Sequence, residues 1–280
     1  MRTTLGVSGV LLALLLALLW FWPRERAHTA QPNVHVLAPL TMPVLDRQRT
    51  LRIYLPPGYA QATRRYPVLY MHDGQNLFDD ATSYAGEWGV DETLNALAKS
   101  QGLQLIVVGI DNGLDKRVVE LNPWDNPEHG KGEGPEYVKF IVEVVKPWID
   151  AHYRTQPDRE HTGIMGSSLG GLISHYAIYE YPQVFSRAGI FSPAYAYAPP
   201  VFDYTSRHTL PADTRLCFYA GGKEGEHMVP DMRAVVATIE KTGFPQDNLR
   251  VVVDPEAHHN EAPWRAQFPA AVTWLFDGVR

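Results

Sequence analysis

The chain has 280 residues, 45% of them hydrophobic, which suits the core of one α/β domain rather than two independent ones. Its formal net charge of -6 excludes a nucleic-acid binder, which needs a basic surface to displace counterions from phosphates. A lone cysteine, Cys217, excludes an intrachain disulfide framework and a multi-cysteine zinc site.

The chain opens with an apolar stretch. Leu5 to Trp22 carries no charge, and Val10 to Trp22 is apolar throughout. Such a segment prefers hydrocarbon to water, so residues 1–22 read as a signal peptide or an N-terminal membrane anchor. Their length falls between a short cleaved signal and a full span of ~20 residues. Trp20, Phe21 and Trp22 suit an interfacial aromatic belt and no clean A-x-A site follows, which favours an uncleaved anchor. The expectation is an exported protein, at the periplasmic face of the membrane or secreted. Residues 23–33, polar with Pro23 and Pro32, read as a linker, and residues 34–280 as the folded domain.

From Val34 onward apolar runs bounded by turn signals predict strands at 34–40, 51–57, 66–73, 103–111, 161–168, 187–194, 214–222 and 249–256. Helical spacing predicts helices at 90–100, 136–153 with a kink at Pro147, 169–181, 229–243 and 261–278. Strands alternating with helices imply a mostly parallel sheet of about eight strands with helices on both faces. Ligands bind such sheets beyond the carboxyl ends of the strands, so the informative loops are those that follow strands.

The loop after the third predicted strand reads MHDGQNLFDD, 71–80. Gly74 permits a turn that lets a following amide, Gln75, face a site at the strand end. A calcium loop built from Asp73, Asn76, Asp79 and Asp80 is the weaker reading, because EF-hand spacing is absent. The next, 111–137, is long and rich in Gly, Pro, Asn and Asp, and is expected to overhang a site. Lys116 and Arg117 within it read mainly as solvated cations, with an anionic ligand as the alternative.

Gly166-Ser167-Ser168-Leu169-Gly170 follows a predicted strand and opens a predicted helix. In a strained strand-to-helix elbow the positions two before and two after the nucleophile lack side chains, because the backbone crowds there. That spacing centres on Ser168; centring on Ser167 would need glycine at Met165 and Leu169. The amide of Leu169, at the helix N-terminus, would face a developing oxyanion. A serine hydroxyl needs a base. Only His258 and His259 lie in a loop after the last predicted strand, and spacing alone does not choose between them. The loop after strand 214–222 offers Glu224, Glu226 and Asp231; Glu224 comes soonest after the strand and is the preferred acid. Trp88, Trp124, Tyr195, Tyr197 and Phe202 are candidate cleft aromatics.

HDGQNLFD, YRTQPDREHTGIMGSSLGGLISHYA, YPQVFSRAGIFSPAY and AHHNEAPWRAQFP, in this order, resemble the putative-esterase family of α/β-hydrolases over about residues 35–278. That group includes ferric-siderophore, feruloyl and acetyl-xylan esterases and, more distantly, mycolyltransferases. The resemblance implies an α/β-hydrolase fold and a serine carboxylic-ester hydrolase. By position it implies Ser168 as nucleophile, Leu169 and Gln75 as oxyanion amides, and His259 as base through its H-N-E-x-x-W pattern. It implies no cofactor or metal, and a small-molecule or glycan-linked ester as substrate. Acyl transfer to an alcohol or sugar, and a non-catalytic anchored binding module, are the alternative readings.

Overall fold

The computed structural model describes residues 26–279; the apolar segment at 1–22 lies outside the described residues. Ten strands are present among them: β1 (Val34–Val36), β2 (Leu40–Met42), β3 (Arg47–Arg49), β4 (Leu51–Tyr54), β5 (Val68–His72), β6 (Ile106–Ile110), β7 (Thr162–Ser167), β8 (Arg187–Phe191), β9 (Arg215–Gly221) and β10 (Leu249–Asp254). Eight of them form one sheet in the order β1-β4-β6-β5-β7-β8-β9-β10. The pairs from β6 across to β10 are parallel, whereas β4 runs antiparallel to both β6 and β1. This is the mostly parallel eight-stranded sheet expected from the alternating strands and helices, and it fits the α/β-hydrolase fold that the resemblance implies.

The helices are α1 (Val90–Gln101), α2 (Arg117–Glu120), α3 (Gly134–Phe140), α4 (Lys146–His152), α5 (Leu169–Glu180), α6 (Pro200–Arg207), α7 (Met228–Lys241) and α8 (Glu261–Leu275). They cover both faces of the sheet. Alternate strand residues point to opposite sides. Val68, Tyr70, Ile164, Leu216 and Phe218 pack with α3, α4, α5 and α7, while Leu69, Met71, Met165, Cys217 and Tyr219 pack with α1 and α8. Burial on both faces is why these strands read as continuous apolar runs rather than as alternations.

Three features depart from the sequence reading. β2 and β3 form a separate hairpin. The segment RQR carries no strand pattern because its arginines are held by ion pairs: Arg47 donates to Glu120 at 2.7 Å and also reaches Glu133, and Arg49 donates to the same Glu120. The expected kink at Pro147 is a π-helical turn, Ile141–Val145, between α3 and α4. The wider turn makes room for a proline that lacks an amide hydrogen and crowds the preceding turn. Third, residues 200–207, outside the helices predicted from spacing, form α6, because Pro200 sits at the first helical turn, where its missing donor costs nothing.

Residues 26–33, the described part of the segment read as a linker, lie against the domain. His28 Nδ1 meets Asp79 Oδ2 at 2.7 Å, Thr29 N donates to Asp79 Oδ1 at 3.1 Å, and Gln31 N donates to Asp91 Oδ2 at 2.7 Å. Among the described residues no helix is long and apolar enough to cross a membrane.

Candidate active site

The carboxyl ends of β5, β7, β9 and β10 bring the predicted residues to one edge of the sheet. β7 ends at Ser167, α5 begins at Leu169, and Ser168 between them has φ 60° and ψ -121°. A non-glycine residue holds this left-handed conformation only where its surroundings enforce it. Here Ser168 N donates to Phe191 O at 2.9 Å, and Ser168 O accepts from Leu172 N at 3.0 Å and Ala194 N at 3.1 Å. A Cβ on Gly166 would lie 2.8 Å from the Gly170 backbone, so the turn admits no side chain there. Ser167 is the last residue of β7, in register with Phe191, and the turn conformation falls on its neighbour.

His259 follows β10, and its Nδ1 meets Glu224 Oε2 at 2.7 Å. The Glu224 side chain is fully buried, whereas that of His259 is 37% exposed. The other carboxylate oxygen, Oε1, accepts from Gly221 N at 2.6 Å and from Ser192 Oγ at 2.8 Å, and Ser192 Oγ accepts in turn from Trp264 Nε1 at 2.9 Å. Both oxygens of the buried carboxylate are thereby satisfied, which is the condition for keeping a charge out of water. The Trp264 ring also stands edge-on to the His259 imidazole, with centroids 5.0 Å apart. Glu226 pairs at 3.5 Å with His227 on the surface, and Asp231 sits in the first turn of α7. His258 is exposed.

The loop after β5 is fixed from several directions. Asp73 has φ 56°, and a Cβ on Gly74 would lie 2.7 Å from the Gly109 backbone. Arg117 makes a two-pronged bond to Asp73, Nε to Oδ1 at 2.6 Å and Nη2 to Oδ2 at 2.9 Å, and Asn112 Nδ2 adds a third donor at 2.6 Å. Burial alone would raise the Asp73 carboxyl, but the charge and hydrogen bonds of Arg117, helped by Asn112, hold it below the ordinary aspartate range. Gln75 Oε1 accepts from Asn112 N at 3.1 Å, and Gln75 O accepts from Thr82 Oγ1 at 2.7 Å. Just before this loop, burial pushes His72 down to about 4, so its ring is neutral; Nδ1 contacts the Tyr137 hydroxyl at 2.8 Å.

These loops enclose a cavity of about 730 Å³ that Ser168, His259, Gln75 and Trp88 all line. Among the described residues no hydrogen bond joins Ser168 Oγ to His259 Nε2; such contacts commonly tighten when a substrate enters. The cavity's apolar lining includes Met71, Leu77, Trp88 and Trp264, all members of one hydrophobic cluster.

Residues 43–275 match the sequence pattern of the family described as "Putative esterase". The chain belongs to this family. The esterase is 28% identical over 242 residues to the uncharacterized protein YbbA of Bacillus subtilis, a match covering 81% of this chain and 92% of YbbA. It is 25% identical over 155 residues to an endo-1,4-beta-xylanase/feruloyl esterase of Xylanibacter ruminicola, covering 52% of this chain but 20% of that protein. Among solved structures it resembles the enterobactin esterase FES of Shigella flexneri, with a TM-score of 0.73 at 16% identity, covering 92% of this chain and 62% of the other. The family is one of carboxylic-ester hydrolases, and the structural likeness shows an α/β-hydrolase-type fold.

Four of the cleft candidates stand elsewhere in the esterase. Tyr195 is 1% exposed, and its hydroxyl meets His175 Nδ1 at 2.6 Å beneath α5. Trp124 packs edge-on to Tyr176 and Tyr204, and Tyr197 stacks on His129 at 4.7 Å. They seat α6 and the 111–137 segment on the domain, because an aromatic ring on a covering element buries most area by packing inward. Phe202 packs edge-on to Tyr195 in that same layer. Conversely, Ser192 behind Glu224, and Asn112 with Arg117 behind Asp73, carry no local sequence signal for these roles, and neither does Trp264 beyond its place in a motif. The tryptophan of the HNEAPW stretch was the one available hint.

Proposed function

We propose that the esterase cleaves carboxylic esters through an acyl-enzyme on Ser168. The observation that carries this reading is the buried, fully satisfied Glu224 bonded to His259 Nδ1, with His259 and Ser168 both lining the cavity. Glu224 holds the imidazole with its proton on Nδ1, leaving Nε2 free to accept. Ser168 Oγ attacks the ester carbonyl as Nε2 takes its proton. The new C–O bond displaces the carbonyl π electrons onto oxygen, where the amides of Leu169 and Gln75 receive them. Collapse expels the alkoxide, protonated by His259, and water repeats the sequence to release the acid.

The ester proposed is one whose acyl part carries an aromatic ring. The apolar lining that includes Trp88 and Trp264 supports this, as do the ester classes named for the feruloyl and enterobactin relatives. In this reading the apolar segment at residues 5–22 sends the enzyme outside the cytoplasm. Reaction with a fluorophosphonate followed by peptide mass analysis is expected to place the adduct on Ser168. An adduct on Ser167, or no adduct, would remove the proposal.

Arg117 acts here as a positioning residue, through Asp73, on the turn that carries Gln75. Arg117→Gln leaves a buried carboxylate without its cation, and the expected cost is about 3 kcal/mol of stability in denaturant melts. Loss of the fixed turn is expected to lower kcat by about tenfold or more while KM changes little, since an oxyanion donor acts in the transition state. A KM effect with unchanged kcat would instead make Arg117 a substrate contact.

A further inference from the structure

One acid in the cavity is unused by the mechanism. Glu261 is the first residue of α8, directly after Asn260, whose Oδ1 caps the helix by accepting from Ala262 N at 3.1 Å. It is 8% exposed and lines the cavity together with Ser168, His259, Asp73 and Arg117. Its carboxylate accepts from its own backbone amide but has no hydrogen bond to, or ion pair with, another residue among the described residues. Burial raises this carboxyl above the ordinary glutamate range and its own amide opposes the rise; Asp73 raises it further, while His259 and Arg117 pull it back. The charge balance of the cavity follows from the partners. Arg117 is committed to Asp73 by two hydrogen bonds, His72 is neutral, and Glu261 is left as the uncompensated charge among the lining residues that stand apart from the Glu224–His259 pair.

A buried carboxylate facing a cavity with free acceptor sites is satisfied by a ligand's donors. We propose that Glu261 is a specificity-determining residue that selects esters bearing a hydroxyl or ammonium donor near the scissile bond and disfavours anionic ones. This rests on the acyl-enzyme reading above. The helix N-terminus places its amides at the same spot, but they are occupied by Asn260 Oδ1 and by Glu261 itself, so they do not offset the repulsion an anion would meet. Among aromatic esters the chemistry therefore favours phenolic or sugar-linked ones, rich in hydroxyl donors, over a polyanionic metal-loaded catecholate.

The test uses methyl cinnamates carrying methyl, hydroxyl, aminomethyl or carboxylate on the ring, and benzyl acetates with the same four groups to probe the alcohol side. The wild-type enzyme is expected to show higher kcat/KM for aminomethyl and hydroxyl than for carboxylate in at least one series. Glu261→Gln is expected to shrink the aminomethyl-to-carboxylate ratio by roughly tenfold or more, the scale of one charge pair near a protein surface. Glu261→Asp, which keeps the charge, is expected to retain part of the preference. A ratio that Glu261→Gln leaves unchanged, or an equal loss on all four esters, would overturn the proposal. Fluorophosphonate labelling of Ser168, blind to substrate charge, separates the two levels. A labelled wild type without charge preference refutes the role of Glu261 alone, and an unlabelled, inactive one refutes the acyl-enzyme reading with it.

Discussion

Ser168→Ala is expected to lower kcat on p-nitrophenyl acetate by roughly three orders of magnitude or more, leaving the residual rate that binding and oxyanion stabilisation alone supply. The folded state should be little changed, because the bonds that hold the turn are made by the backbone of residue 168: its amide to Phe191 O, its carbonyl from Leu172 N and Ala194 N. Alanine bears the same left-handed φ, so neither stability nor the elbow geometry is altered in kind. The measurement is single-turnover and steady-state hydrolysis beside a thermal melt. Activity within tenfold of wild type in a folded Ser168→Ala protein would end the acyl-enzyme assignment.

Glu224→Gln is expected to cost about 10³–10⁴ in kcat, and the hydrogen bonds give the reason. Oε1 of Glu224 accepts from Gly221 N and Ser192 Oγ, and the Gly221 amide is part of the strand end and does not rotate away. The glutamine oxygen must therefore stay on that side and turn its NH₂ toward His259. The imidazole then presents Nδ1 as acceptor and carries its proton on Nε2, the tautomer that cannot take a proton from Ser168. Matched variants Glu226→Gln and Asp231→Asn are expected to stay close to wild type, because Glu226 is on the surface with His227 and Asp231 is in the first turn of α7. Three small effects across the series would show that His259 works without a carboxylate.

Between these sites, the elbow and the acid differ in how far they could be read beforehand. Crowding at the elbow is local: Gly166 and Gly170 meet across a turn although only four positions separate them in sequence, so glycine spacing alone centres it on Ser168. The acid was a choice among Glu224, Glu226 and Asp231, three carboxylates within eight residues, and only nearness to the strand end favoured Glu224. What separates them is Ser192, 32 residues away in sequence, which closes the buried end of one of the three. Arg117 is a similar case. As a sequence feature it is a surface cation; its partner Asp73 lies 44 residues before it, on another strand's loop.

The aromatic residues make the converse point. Trp88 and Tyr195 look equally suited to a cleft in sequence, yet Trp88 lines the cavity while Tyr195 is in the core against His175. Burial pushes His175 down to about 3, and a neutral ring between Tyr195 and Thr205 is a packing element there.

The sequence by itself determined the eight strands of the main sheet, the elbow and the order of the loops, because strand burial and turn crowding act over a few residues and leave a periodic or glycine-spaced trace. Only the tertiary structure decided which acid meets His259, where Arg117 spends its charge and that Glu261 is left facing the cavity without a partner. Those outcomes depend on side chains meeting across strands, and pairing through space leaves no mark on either partner's neighbours in the chain.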